Sequence, residues 1–127
     1  MYDAVDYQER DAGGRWWALA PRRVAINLRV DVDDWALAAE TARRAGTTVG
    51  AWVCDQIQQA YIDYATARKL PYLEKEDALS LEHKFLRVDF AIRSMACEMA
   101  QAAGVTISQL IRAIIADALL QEDSEND

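Results

Sequence analysis

The chain has 127 residues, of which 52% are apolar and 28% charged, a globular composition with room for one compact domain or two small motifs sharing a core. It is too short for a doubly wound nucleotide-binding enzyme with a second domain, and no apolar run approaches the roughly 18 residues that a membrane span needs. The net charge of −7 argues at first sight against a polyanionic partner, because phosphate binding draws its free energy from Lys and Arg. That charge is concentrated, however. Glu122, Asp123, Glu125 and Asp127 lie together at the C-terminal end, and Glu74, Glu76, Asp77 and Glu82 are offset only by Lys75, which leaves 13 basic and 13 acidic residues elsewhere.

In chain order, residues 1–22 read as an N-terminal arm with Gly13-Gly14, the cluster Arg15-Trp16-Trp17 and then Pro21-Arg22. The tryptophan pair is expected to pack on its own domain or on a neighbouring chain. From Arg23 the pattern changes: Val24, Ile26, Leu28 and Val30 alternate with Arg23, Ala25, Asn27 and Arg29, the period of a strand with one buried face. Asp31 ends the strand and can cap a helix over about 32–45, which Gly46 stops by taking a left-handed conformation. Arg43 and Arg44 near its end complement the helix dipole. Thr48 then caps a second helix, about 49–69, with Trp52, Val53, Ile57, Tyr61 and Tyr64 on one stripe.

Pro71 and the charge run after it mark residues 70–80 as a linker. A second strand is expected near 82–88. Asp89 caps a helix over about 90–103, Gly104 ends it, and Thr106 with Gln109 reads as a capping box for a helix over about 107–121. Residues 122–127 form an acidic tail.

These elements are written twice. Sliding the chain by 58 positions lays residues 28–62 on 86–120 with 12 of 35 positions identical, among them Leu28-Arg29-Val30-Asp31 on Leu86-Arg87-Val88-Asp89, Gly46 on Gly104 and Thr48 on Thr106. Alanine richness inflates such a score but cannot produce the four-residue run or the paired Gly-x-Thr. One strand with two helices buries too little surface to stand alone and leaves its ladder groups unpaired, whereas two such units can pair their strands and interlock their helices.

The unit of a short strand ending Leu-Arg-Val-Asp, a helix, Gly-x-Thr and a second helix resembles the ribbon-helix-helix (Arc/MetJ-type) DNA-binding family over about 23–69 and 81–121. The resemblance implies a mainly α fold in which two ribbon-helix-helix units of one chain pair as a pseudodimer, a two-stranded antiparallel β-ribbon plus four helices. It also implies that the ribbon enters the major groove of double-stranded DNA and that its outward side chains contact base edges. By position these are Arg23, Ala25, Asn27 and Arg29 in the first strand and His83, Phe85 and Arg87 in the second. Arginine can bond guanine O6 and N7 together, asparagine can do the same for adenine N6 and N7, and Phe85 offers only apolar contact, as to a thymine methyl. The starts of the second helices, Thr48, Val49 and Gly50 and likewise Thr106, Ile107 and Ser108, would anchor phosphates. The same threonines serve as ordinary caps in either case.

Catalysis finds little support. His83 is the one histidine, no phosphate-cradling loop or nucleophile motif appears, and Cys54 and Cys97 fall within helices as small apolar groups. Neither metal nor cofactor is expected. With no secretory signal pattern the two cysteines predict a reduced, cytoplasmic chain without disulfides. The function expected is sequence-specific DNA binding as a transcriptional repressor, with side-by-side self-association on adjacent sites. The alternative is an interaction module on the same scaffold, antitoxin-like or an accessory of plasmid partition or conjugation, with weak or no DNA binding and a protein partner held through the arm or the acidic tail.

Overall fold

The computed structural model describes residues 23–71, 73 and 81–126. The N-terminal arm with Arg15, Trp16, Trp17 and Arg22, and most of the linker, lie outside the described residues. The elements run β1 (Arg23–Asp31), α1 (Val32–Arg44), α2 (Val49–Ala67), β2 (Leu81–Asp89), α3 (Phe90–Ala103) and α4 (Ile107–Asn126). The described residues are mostly helical, with a two-stranded antiparallel sheet.

The register sets Arg23 opposite Asp89, Asn27 opposite Phe85 and Asp31 opposite Leu81. Because strand side chains alternate between faces, this register gathers Ile26, Leu28, Val30, Leu86 and Val88 beneath the ribbon, where all five are buried. The four helices close on that face. Their buried side chains include Trp52, Val53 and Ile57 from α2, Ile92, Ala96 and Met99 from α3, and Leu110, Ile111, Ile114 and Ile115 from α4. Of the residues on the expected apolar stripes, Ile26, Leu28, Val30, Trp52, Val53 and Ile57 are buried, while Val24, Tyr61 and Tyr64 are half-buried against the core. The burial repeats at the 58-residue offset: Leu28 and Leu86, Val30 and Val88, Ala38 and Ala96, Ala42 and Ala100, Trp52 and Leu110, Val53 and Ile111, and Ile57 and Ile115.

The helix ends follow from local chemistry. The Asp34 N–H donates to Asp31 Oδ2 (3.0 Å) and the Ala51 N–H to Thr48 Oγ1 (3.1 Å), so each side chain takes a donor that the first helical turn leaves without a partner. The expected capping box forms in full, with the Gln109 N–H on Thr106 Oγ1 (3.1 Å) and the Thr106 N–H on Gln109 Oε1 (2.9 Å). Gly46 and Gly104 take φ of +78° and +72°, where a Cβ would be strained.

Three expectations need correction. Asp89 occupies the N-cap position of α3 but its carboxylate makes no cap hydrogen bond; the register places Arg23 opposite it, and Arg23 Nε lies 3.8 Å from Asp89 Oδ1. Helix α2 ends at Ala67, short of residue 69, because Arg68 adopts φ 55° and ψ 31°, with its guanidinium 5.2 Å from the Tyr64 ring centroid. Helix α4 does not stop near 121 but continues to Asn126, since Gln121-Glu122-Asp123-Ser124-Glu125-Asn126 contains neither Gly nor Pro to end it.

Candidate nucleic-acid interface

The alternation that buries one face of the ribbon exposes the other. Arg23, Ala25, Asn27 and Arg29 of β1 and His83, Phe85 and Arg87 of β2 are all exposed, so the seven side chains singled out as base-contacting share one outward surface. Leu81 extends the same row on β2 and is 38% exposed; the strand begins one residue earlier than its alternation suggested.

The two strands present different chemistry on that surface. Across the register Arg29 faces His83, Asn27 faces Phe85 and Ala25 faces Arg87. The β1 row therefore offers guanidinium and amide donors. The β2 row has an aromatic pair at its centre, His83 against Phe85 with centroids 5.2 Å apart and rings tilted by 32°. Phe85 is 71% exposed, the most exposed large apolar side chain among the described residues. Arg23 does not project alone: its Nη2 donates to the Arg87 carbonyl (3.0 Å), while its Nε faces Asp89. It spans the end of the ribbon.

The helix starts lie where the sequence put them, with different contacts. Val49 and Ile107 are half-buried and packed against the core, so their side chains hold the helices in place. Gly50 lies beside β2, where a Cβ would make an ordinary contact with Leu86 Cδ1 at 3.5 Å. Ser108, its counterpart 58 residues on, faces β1 instead. Its hydroxyl accepts from the Arg29 N–H (3.2 Å) and donates to the Asn27 carbonyl (3.4 Å). Arg112, one turn further along α4, donates from Nη1 to the Arg29 carbonyl (2.5 Å). Burial and the neighbouring Arg29 charge hold the Arg112 pKa below the usual arginine range.

Sequence reasoning missed this α4 contact. The signal lay in the mismatches of the repeat, where Ser108 and Arg112 stand against Gly50 and Cys54. Cys54 is a half-buried free thiol, and its burial pushes its pKa up against the opposing effect of Arg23. On the inner face, Glu82 and Lys84 pair at 3.3 Å at the places where β1 has Val24 and Ile26.

Away from the ribbon, a shallow groove of about 80 Å³ lies between α2 and α4 beside Lys69, Leu70 and Pro71, with Gln56, Asp63, Asp117 and Gln121 on its walls. Among the described residues no group of three or more His, Cys, Asp or Glu side chains could hold a metal ion, and no single helix is long and apolar enough to cross a membrane. No protein-family model matches the chain, and neither a curated protein nor a solved structure shows significant similarity to it.

Proposed function

We propose that the chain is a sequence-specific double-stranded DNA-binding protein that acts as a transcriptional repressor, built as two ribbon-helix-helix units paired within one chain. The observation that carries this reading is the ribbon's outward surface, on which Asn27, Arg29 and Arg87 stand exposed with no core function. A two-stranded ribbon fits a major groove about 12 Å wide, and these are the side chains suited to base edges there.

The pairing register supports the internal two-fold. Partner numbers across the ribbon sum to 112, the repeat offset is 58, and one residue satisfies both: 27 plus 58 is 85, so Asn27 lies opposite its own repeat counterpart, Phe85. A two-fold relating the units passes between them. The starts of α2 and α4 then fall on either side of the ribbon as phosphate anchors, with the backbone N–H groups and helix dipole supplying the attraction.

Net acidity keeps non-specific affinity low, so tight binding needs several chains side by side on adjacent sites. The test is fluorescence anisotropy with duplex DNA from upstream of the protein's own coding sequence. Binding that weakens steeply with salt and is competed poorly by unrelated duplex is expected. No binding at low salt would favour the second reading, an interaction module, which the exposed Phe85 at the ribbon centre supports: a bare aromatic there would seat on an apolar protein surface as readily as on a thymine methyl.

A further inference from the structure

The two edges of the ribbon are held differently. On the β1 edge, Ser108 bridges the Asn27 carbonyl and the Arg29 N–H, and Arg112 donates to the Arg29 carbonyl. These bonds tie the first turns of α4 to the backbone of two residues whose side chains point outward. On the β2 edge the corresponding helix positions are Gly50 and Cys54, which carry neither a hydroxyl nor a cation. The Arg87 carbonyl accepts instead from Arg23, whose side chain is 56% exposed.

We infer that Ser108 and Arg112 are positioning residues that preorganise β1 as the dominant reading strand, so that the chain takes a non-palindromic duplex in one orientation. Hydrogen-bonded readout falls on the Asn27–Arg29 side, and apolar contact falls on the His83–Phe85 side. The inference rests on the DNA-binding reading above. A side chain on a backbone already fixed loses less freedom when it engages a base, so its bidentate geometry discriminates more sharply. Even the centre of the ribbon is unequal, since the two-fold relates an amide to a phenyl ring. Arg23, engaged with Arg87 and Asp89, acts as a strut across the ribbon end. The Ser108 hydroxyl, turned to the strand, serves base readout through Asn27 and Arg29 and not phosphate anchoring.

The test begins with selection of bound duplexes from a random library by the full chain. The enriched sequence is then bound by the wild type and by Ser108→Gly, Ser108→Thr and Arg112→Met, with each base pair varied in turn. A non-palindromic consensus is expected. Ser108→Gly and Arg112→Met each lose about fivefold in discrimination, the worth of one hydrogen bond, at base pairs on one side of the centre only, while Ser108→Thr retains it. Amide exchange provides a readout without DNA: Arg29 exchanges faster in Ser108→Gly than in the wild type. A palindromic consensus, or a Ser108→Gly variant that weakens every duplex alike, overturns the inference and leaves the DNA-binding reading standing. A library without an enriched duplex overturns both.

Discussion

The first repeat meets the ribbon through a glycine, and the second meets it through a serine and an arginine. Gly50 offers the ribbon no side chain beside Leu86, whereas Ser108 and Arg112 bond α4 to the backbone of Asn27 and Arg29. The inner faces differ too, Val24 and Ile26 in β1 against Glu82 and Lys84 in β2. Beneath these differences the apolar pairs match, from Leu28 and Leu86 to Ile57 and Ile115. The contrast teaches that the shared apolar pairs form the common part of the core, to which Ile26, Ile92, Met99 and Ile114 add unpaired contributions. The positions around the ribbon are free to diverge, and there the two halves acquire separate roles.

The largest effect should come from the shared core. Leu28 and Leu110 are both fully buried, so Leu28→Ala and Leu110→Ala should each cost about 2–5 kcal/mol in chemical denaturation, the range for truncating a buried leucine. Unchanged midpoints would break the common-core side of the comparison.

Smaller effects sharpen it. Thr48 and Thr106 each accept one cap bond from a first-turn N–H, so both Thr→Ala changes should cost about 1 kcal/mol in thermal unfolding. Gln109→Ala, which removes the return bond from the Thr106 N–H, should cost a further measurable amount that has no counterpart in the first repeat. An unchanged midpoint for Gln109→Ala would show that the Gln109 arm contributes nothing. The aspartates at the strand ends should differ from each other. Asp31→Ala removes a cap worth about 1 kcal/mol, while Asp89→Ala removes only an exposed ion pair with Arg23 worth about 0–1 kcal/mol. A larger loss for Asp89→Ala would reverse the assignment.

The smallest effect is chemical. Burial pushes the Cys54 thiol up, so less thiolate is present at a given pH and alkylation at Cys54 should be slower than for a free thiol, with its rate profile displaced to higher pH. A profile at or below that of an unperturbed thiol would contradict this.

Much of the fold was legible because its signals are local. Alternation marks the strand, Gly46 and Gly104 mark the turns, and Thr106 with Gln109 marks a helix start. The repeat itself implied that two strands should pair. What was not legible depends on register. The partner of Asp89 is decided by which residue of β1 lies opposite, and nothing near Asp89 in the chain announces Arg23. Ile92, Met99 and Ile114 are buried although their counterparts Asp34, Thr41 and Gln56 are polar, so matching the two repeats could not place them in the core. The outward row of the candidate site followed directly from alternation. Its attachment to α4 spans more than 75 residues of chain: Ser108 reaches back 79 and 81 residues, and Arg112 reaches back 83. No local pattern encodes such a contact.

The central claim is that the ribbon reads DNA, and the most direct measurement compares wild type, Arg29→Ala and Arg87→Ala on the cognate duplex and on variants at each base pair. The account predicts that Arg29→Ala loses discrimination worth about 1–3 kcal/mol at one base pair, that of a bidentate arginine–guanine contact, and that Arg87→Ala loses less. If both variants bind the cognate duplex and its variants as the wild type does, the ribbon is not the reading surface and the interaction module takes its place.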